Sequence, residues 1–218
     1  MLFYWLMFLE ENKKIKLILA SASPRRSGIL NLLKINFEAM PPIDCIEEKF
    51  EDPCTTVIKN SIKKSENVAD YVKINRTDVF SADNYSDMII CGFDTIVYFE
   101  NKYFFKPKNI EEARDFIGTF SGKTHSVFTG VSVYSHINDK TETGFEETRV
   151  TFRKLNSKDI EHFLANEYFL DKAGGYNIEG YGSFLVKKIK GCFFNVAGLP
   201  IYRFLNILNR FGYDLNNF

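Results

Sequence analysis

Four places in the sequence carry residue types and spacings that could do chemistry. In the first, Ile15-Lys16-Leu17-Ile18-Leu19-Ala20 reads as a short buried strand, and Ser21-Ala22-Ser23-Pro24-Arg25-Arg26 follows it at once. Hydroxyl residues suit a helix N-cap, the proline suits the first turn, and Ile29, Leu30, Leu32 and Leu33 continue at helical spacing. The free N–H groups of a helix start, with Ser21, Ser23, Arg25 and Arg26 beside them, form a place that holds phosphate. An ordinary capped helix with exposed arginines fits the same residues.

The second place is Asp94, a carboxylate inside the apolar run from Met88 to Phe99, costly to bury unless it is paired or holds a cation. An Asx turn between two strands is the bland alternative. The third is Phe105-Lys106-Pro107-Lys108, where a lysine leaves a hydrophobic strand before a proline fixes the turn. The fourth is Tyr168 to Gly182, where Asp171-Lys172-Ala173-Gly174-Gly175-Tyr176 and Glu179-Gly180-Tyr181-Gly182 concentrate glycines and charges. Glycines let a backbone approach a ligand closely, or serve tight turns.

The elements that position these groups alternate in period. Strands are expected at Phe37 to Met40, at Met88 to Phe99 with an interruption at Gly92-Phe93-Asp94-Thr95, at Val127 to Tyr134, at Glu147 to Phe152 and over Ser183 to Ile189. Helices are expected from about Thr55 to Val72, over Glu111 to Phe120 with a stop at Ser121-Gly122, over Ser157 to Asn166 with Ser157 as N-cap, and over Gly198 to Phe211. Lys73 to Asp87 reads as a polar loop. The pattern is that of a mixed α/β domain without repeats, spanning 15–212 after an N-terminal extension at 1–14.

Composition sets the class. The chain has 218 residues, 45% of them hydrophobic and 26% charged, with 22 Phe and 11 Tyr, as expected of a globular protein with an aromatic core. Basic and acidic side chains balance at 28 each, so no global field draws the protein to a nucleic acid or an anionic membrane. Cys45, Cys54, Cys91 and Cys192 show neither CxxC pairing nor metal-ligand spacing, which suits a reducing compartment and a cytoplasmic location. Met1 to Leu9 is apolar but far shorter than the roughly 20 residues that cross a bilayer, and it reads as a short extension packed on the body, a start-site artefact or a targeting segment.

Taken together, these segments resemble the Maf family. Leu17-Ile18-Leu19-Ala20-Ser21-Ala22-Ser23-Pro24-Arg25-Arg26 is similar to its opening signature, Gly92-Phe93-Asp94-Thr95 to its Gly-Ala-Asp-Thr, and Phe105-Lys106-Pro107 to its Glu/Gly-Lys-Pro. Phe120-Ser121-Gly122-Lys123-Thr124-His125, Leu170-Asp171-Lys172-Ala173-Gly174 and Asn195-Val196-Ala197-Gly198-Leu199-Pro200 match in turn. The resemblance implies a two-lobed α/β fold related to the inosine triphosphate pyrophosphatases, with the active cleft between the lobes. It implies hydrolysis of a nucleoside triphosphate to monophosphate and pyrophosphate. Carried over by position, Asp94 is the catalytic carboxylate, Ser21, Ser23, Arg25, Lys64 and Lys106 bind phosphate, and Glu48, or Glu47 beside it, joins Asp94 in binding a divalent metal, Mg²⁺ or alternatively Mn²⁺. A homodimer is compatible with it.

Ser-Pro-Arg-Arg, Asp-Thr and Asp-Lys-Ala-Gly resemble the branch acting on dTTP, UTP and modified pyrimidine nucleotides, with Arg25, Thr95 and position 179 as specificity determinants. Glu179 stands where that branch has Gln, and an ionised Glu only accepts hydrogen bonds. The alternatives are a 7-methyl-GTP pyrophosphatase, a catalytically weak nucleotide-binding regulator of cell division, and an inosine triphosphate pyrophosphatase, which the Ser-Pro-Arg-Arg opening disfavours.

Overall fold

The structure is a computed structural model that describes residues 14–75 and 85–218. The apolar segment Met1 to Leu9 and most of the expected 73–87 loop lie outside the described residues. Among those described, no helix is long and apolar enough to cross a membrane.

A seven-stranded mixed sheet organises the chain. Strand β1 (Ile15–Ala20) is followed by helix α1 (Pro24–Leu32), strand β2 (Glu38–Ala39), helix α2 (Pro53–Asn75) and the long strand β3 (Asp87–Phe99). Strand β4 (Lys102–Phe104), helix α3 (Ile110–Phe120), strands β5 (Thr124–Ser135) and β6 (Lys140–Phe152), helix α4 (Ser157–Asn166), strand β7 (Val186–Lys190) and helices α5 (Phe193–Val196) and α6 (Ile201–Leu208) complete it. The order is β2-β1-β3-β5-β6-β7, with β4 on the β3 edge; β1 pairs with β2 and β3 in parallel, and the other pairings are antiparallel.

The alternation along β3 explains the layers. Met88, Ile90 and Ile96 face α2, where Val57, Val68 and Val72 meet them. On the opposite face, Ile89, Cys91 and Phe93 pack with Leu30 of α1 and Phe204 and Leu208 of α6, whereas Val97 packs with Ile117 and Phe120 of α3 and Phe163 of α4. The two halves of that face are thus filled by separate clusters, and the long strands run through both.

The helix α2 lies close on the sheet because glycines lie beneath it. A Cβ on Gly92 would stand 2.3 Å from the Ser61 carbonyl oxygen, and one on Gly130 would stand 2.1 Å from that of Val57. Gly130 is the cross-strand partner of Asp94, so the closest approach falls beside that carboxylate.

Several expectations are corrected here. β3 is continuous through Gly92-Phe93-Asp94-Thr95, because the polar groups of Asp94 and Thr95 find side-chain partners and need no turn. Asn156, not Ser157, caps α4: its side chain accepts from the Asp159 N–H in a capping box. Gly198, at φ 98°, is outside the last helix, and Pro200 is its N-cap. Leu32 and Leu33 of the first helix repeat are exposed rather than core. Ser183 and Phe184 belong to a 3-10 turn that precedes β7.

Candidate active site

A break in strand pairing opens the site. Along one edge of β3, β1 pairs as far as Gly92 and β4 begins at Val97, so residues 93–96 have no strand beside them on that edge. Open α/β sheets place ligands at such gaps. A cavity of about 370 Å³ occupies this one. One wall comes from Ala20 to Arg26, Glu47, Lys64 and Asp94; the other comes from Phe105, Lys106, Asp171, Ala173 and Tyr176.

Asp94 is 2% exposed, and both of its carboxylate oxygens are engaged. Lys64 Nζ donates to Oδ1 at 2.6 Å, and Asn60 Nδ2 donates to Oδ2 at 3.1 Å. Asn60 and Lys64 are one helical turn apart on α2 and project from the same face, which the glycines bring down onto β3. The same Lys64 ammonium donates to Glu47 Oε1 at 2.7 Å, so it bridges two carboxylates. Burial would raise the Glu47 carboxyl, but the Lys64 charge and hydrogen bond, with Lys106 and Arg26 beyond, hold it below its usual value. Asn60 also fixes the loop that carries the acidic pair, accepting from the Glu48 N–H at 2.9 Å and donating to the Glu48 carbonyl at 3.0 Å.

Glu48 itself points elsewhere. Its carboxylate sits 2.6 Å from Lys63 Nζ on the exposed side of α2 and does not line the cavity, whereas Glu47 does. The structure therefore brings Glu47, and not Glu48, to Asp94.

The two arginines divide their work. Arg26 is buried and donates to the Gly198 carbonyl at 2.8 Å, Ser21 Oγ at 2.9 Å and Thr95 Oγ1 at 3.1 Å. Burial pushes it down to about 10 against the attraction of Asp94, which leaves it charged at neutral pH. It ties the end of β1, β3 and the turn before α6 together at the cavity wall. Arg25 lines the cavity, and its Nε is buried without a protein acceptor. Burial lowers its guanidinium too, opposed by Asp171, Glu179 and Glu167.

Of the other sequence-predicted residues, Ser21, Ser23, Thr95 and Lys106 all line the cavity. Ser21 Oγ accepts from the Ser23 N–H at 3.2 Å, so this hydroxyl shapes the loop as well as facing the cavity. The Thr95 hydroxyl is taken by Arg26 and lies 3.0 Å from Thr129 Oγ1. Glu179 is exposed, starts a 3-10 turn and is not among the cavity-lining residues; it reaches the site through its charge on Arg25. Asn60 was missed by sequence reasoning, although a polar residue four before Lys64 on the buried face of a helix was a signal that could have found it.

The two carboxylates of Asp94 and Glu47 offer hard oxygen donors on one cavity wall, and a cation now lies between them in the form of Lys64. No group of three or more His, Cys, Asp or Glu that could hold a metal occurs among the described residues.

Comparison with known proteins identifies the family. The family described as Maf-like protein matches residues 16–211. The chain is 39% identical over 210 residues to a dTTP/UTP pyrophosphatase of Bacillus cereus (strain ATCC 10987 / NRS 248), covering 95% of each chain. It is 38% identical over 205 residues to proteins of the same description from Bacillus cereus (strain AH187) and Bacillus thuringiensis subsp. konkukian (strain 97-27), covering 93% of this chain and 98% of each relative. A family match across nearly the whole chain, on a fold whose strand gap gathers the motif residues, shows that the chain belongs to the Maf-like protein family.

Proposed function

We propose that the protein hydrolyses nucleoside triphosphates, with dTTP, UTP and modified pyrimidine nucleotides as its substrates, to the monophosphate and pyrophosphate. The observation that carries this reading is the Asp94–Lys64–Glu47 cluster in a cavity that Arg25 and Lys106 also line. Attack of water at the α phosphorus needs a carboxylate beside the water and cations around a leaving group whose charge grows. Asp94, oriented by Lys64 and Asn60, accepts the water's proton. Arg25, Lys106 and the free N–H groups at the start of α1 hold the triphosphate, and Lys64 adds positive charge next to the reacting phosphorus.

Asp94 and Glu47 would hold a divalent metal. Mg²⁺ takes oxygen ligands and keeps several waters, so two carboxylates and the substrate's phosphates suffice. The ion would supply charge stabilisation at the phosphate oxygens. A cytoplasmic location is consistent with four cysteines that are all free.

The test is a panel of normal and modified nucleoside triphosphates, 7-methyl-GTP included, assayed for pyrophosphate release with Mg²⁺ and with chelator. Pyrophosphate and monophosphate are the expected products, lost on chelation; orthophosphate and diphosphate as primary products would overturn the reading.

The choice between the neighbouring glutamates gives a second expectation. Glu47→Gln removes a charge from the cavity wall and is expected to raise the Mg²⁺ concentration for half-maximal rate by about tenfold or more. Glu48→Gln, whose carboxylate is paired with Lys63 on the exposed side of α2, is expected to change it by less than about twofold. Titration of rate against Mg²⁺ for both variants decides it, and a larger effect at Glu48 would reverse the assignment.

A further inference from the structure

We propose that Phe105 is a stacking platform for the nucleobase, so that the protein holds its substrate by the face of the base as well as by its phosphates. The inference rests on the nucleotide reading given above and adds a residue to it.

Phe105 is 36% exposed and lines the cavity, yet it joins none of the apolar clusters that make up the core. Its ring therefore puts an aromatic surface on the same cavity wall as Lys106, Asp171 and Tyr176, where a flat ligand can lie against it.

The ring is also held still. It lies nearly parallel to Tyr103, with centroids 5.6 Å apart and planes at 8°, so its plane is set by its neighbour while its exposed part lines the cavity. Tyr103 is fixed in turn. Its hydroxyl donates to the Phe50 carbonyl at 2.9 Å, and its ring meets Tyr98 edge-on at 5.1 Å, which meets Phe128 at 6.3 Å. The Phe105 carbonyl accepts from the Gly174 N–H at 3.1 Å, pinning the backbone just before Lys106. The row of rings from Phe128 to Phe105 thus ends at the cavity with a pre-oriented π surface. A base laid on it would leave the triphosphate free to run towards Lys106, Arg25 and the acidic cluster.

Every base has a π face, so stacking of this kind tolerates different bases, and its loss falls on binding rather than on the chemical step. Phe105→Ala is expected to raise KM for each accepted nucleotide by about tenfold, Phe105→Leu by nearly as much, and Phe105→Trp to leave KM at or below the wild-type value. Because the ring is outside the core, all three variants are expected to melt like the wild type. Inorganic tripolyphosphate, which has no base, serves as a competitive inhibitor whose Ki is expected to stay unchanged in all three.

Three results would overturn the platform. One is an unchanged KM in Phe105→Ala. Another is a Phe105→Leu enzyme with wild-type KM, which would reduce the ring to apolar bulk. The third is a tripolyphosphate Ki that rises together with KM, which would make Phe105 a support for Lys106. If the wild type releases no pyrophosphate from any nucleotide, the hydrolase reading fails instead; base stacking is then still tested by calorimetric binding of UMP to the same variants.

Discussion

Asp94→Asn is expected to lower kcat by about a hundredfold to ten-thousandfold while leaving a folded protein, because it removes a base and a charge but little volume. The geometry also sets the stability cost. Lys64 keeps its contact with Glu47 at 2.7 Å, so its ammonium is not left without an acceptor. The amide at position 94 can turn its oxygen to Lys64, but its NH₂ then faces the Asn60 NH₂ that now donates to Asp94 Oδ2. Asn60 cannot turn over without losing the bonds of both its amide ends to the Glu48 backbone. Two donors facing each other in a buried place cost about 1–3 kcal/mol. For a domain of this size that is a fall in melting temperature of about 2–4 °C per kcal/mol, well short of unfolding. The measurement is kcat with Mg²⁺ beside a thermal melt of both proteins. A folded variant that keeps more than about a tenth of the wild-type rate would remove Asp94 from the mechanism.

The same cluster shows what a sequence can and cannot disclose. Asp94 was legible because a carboxylate in an apolar strand has few explanations, and the strand-to-helix start at Ser21 to Arg26 was legible because caps, prolines and periodicity are local. The continuity of β3 was not, since whether a polar pair ends a strand depends on partners from α2, α1 and β5 that no local pattern displays. Glu47 and Glu48 are adjacent and chemically identical. Which of them faces the cavity is settled by Asn60 gripping the Glu48 backbone from a helix twelve residues on, a long-range constraint. Arg26 shows the converse: it reads like Arg25 in sequence and also lines the cavity, yet its donors are taken by three protein segments, whereas Arg25 Nε has no protein acceptor. The site's opening, a gap between the end of β1 and the start of β4 along β3, is a property of register and is invisible until the pairing is known.

Register and close approach also set the second large effect, at a residue with no side chain. Gly92→Ala places a Cβ 2.3 Å from the Ser61 carbonyl oxygen and 2.9 Å from the Ser65 nitrogen, both of them backbone atoms of α2 that cannot swing aside as a side-chain tip could. The helix has to move off the sheet by an ångström or so, about the shift that relieves such an overlap. It carries Asn60 and Lys64 with it, stretching the 2.6 Å contact between Lys64 and Asp94 that orients the carboxylate. Overpacking of this kind costs about 1–3 kcal/mol or more, and a misplacement of about 1 Å in catalytic groups can cost about a hundredfold in rate. Gly92→Ala is therefore expected to lose stability and kcat together, with the rate loss persisting at temperatures far below the melt, where the protein is folded. Gly28 on α1 is the control: a Cβ there meets nothing within 4 Å, and alanine in a helix is favoured by about 0.5–1 kcal/mol over glycine. Gly28→Ala is expected to melt at or slightly above the wild-type temperature with an unchanged rate. Thermal melts and kcat for both variants are the test. A Gly92→Ala protein with wild-type stability and rate would mean that α2 needs no glycine beneath it to deliver Lys64 to Asp94.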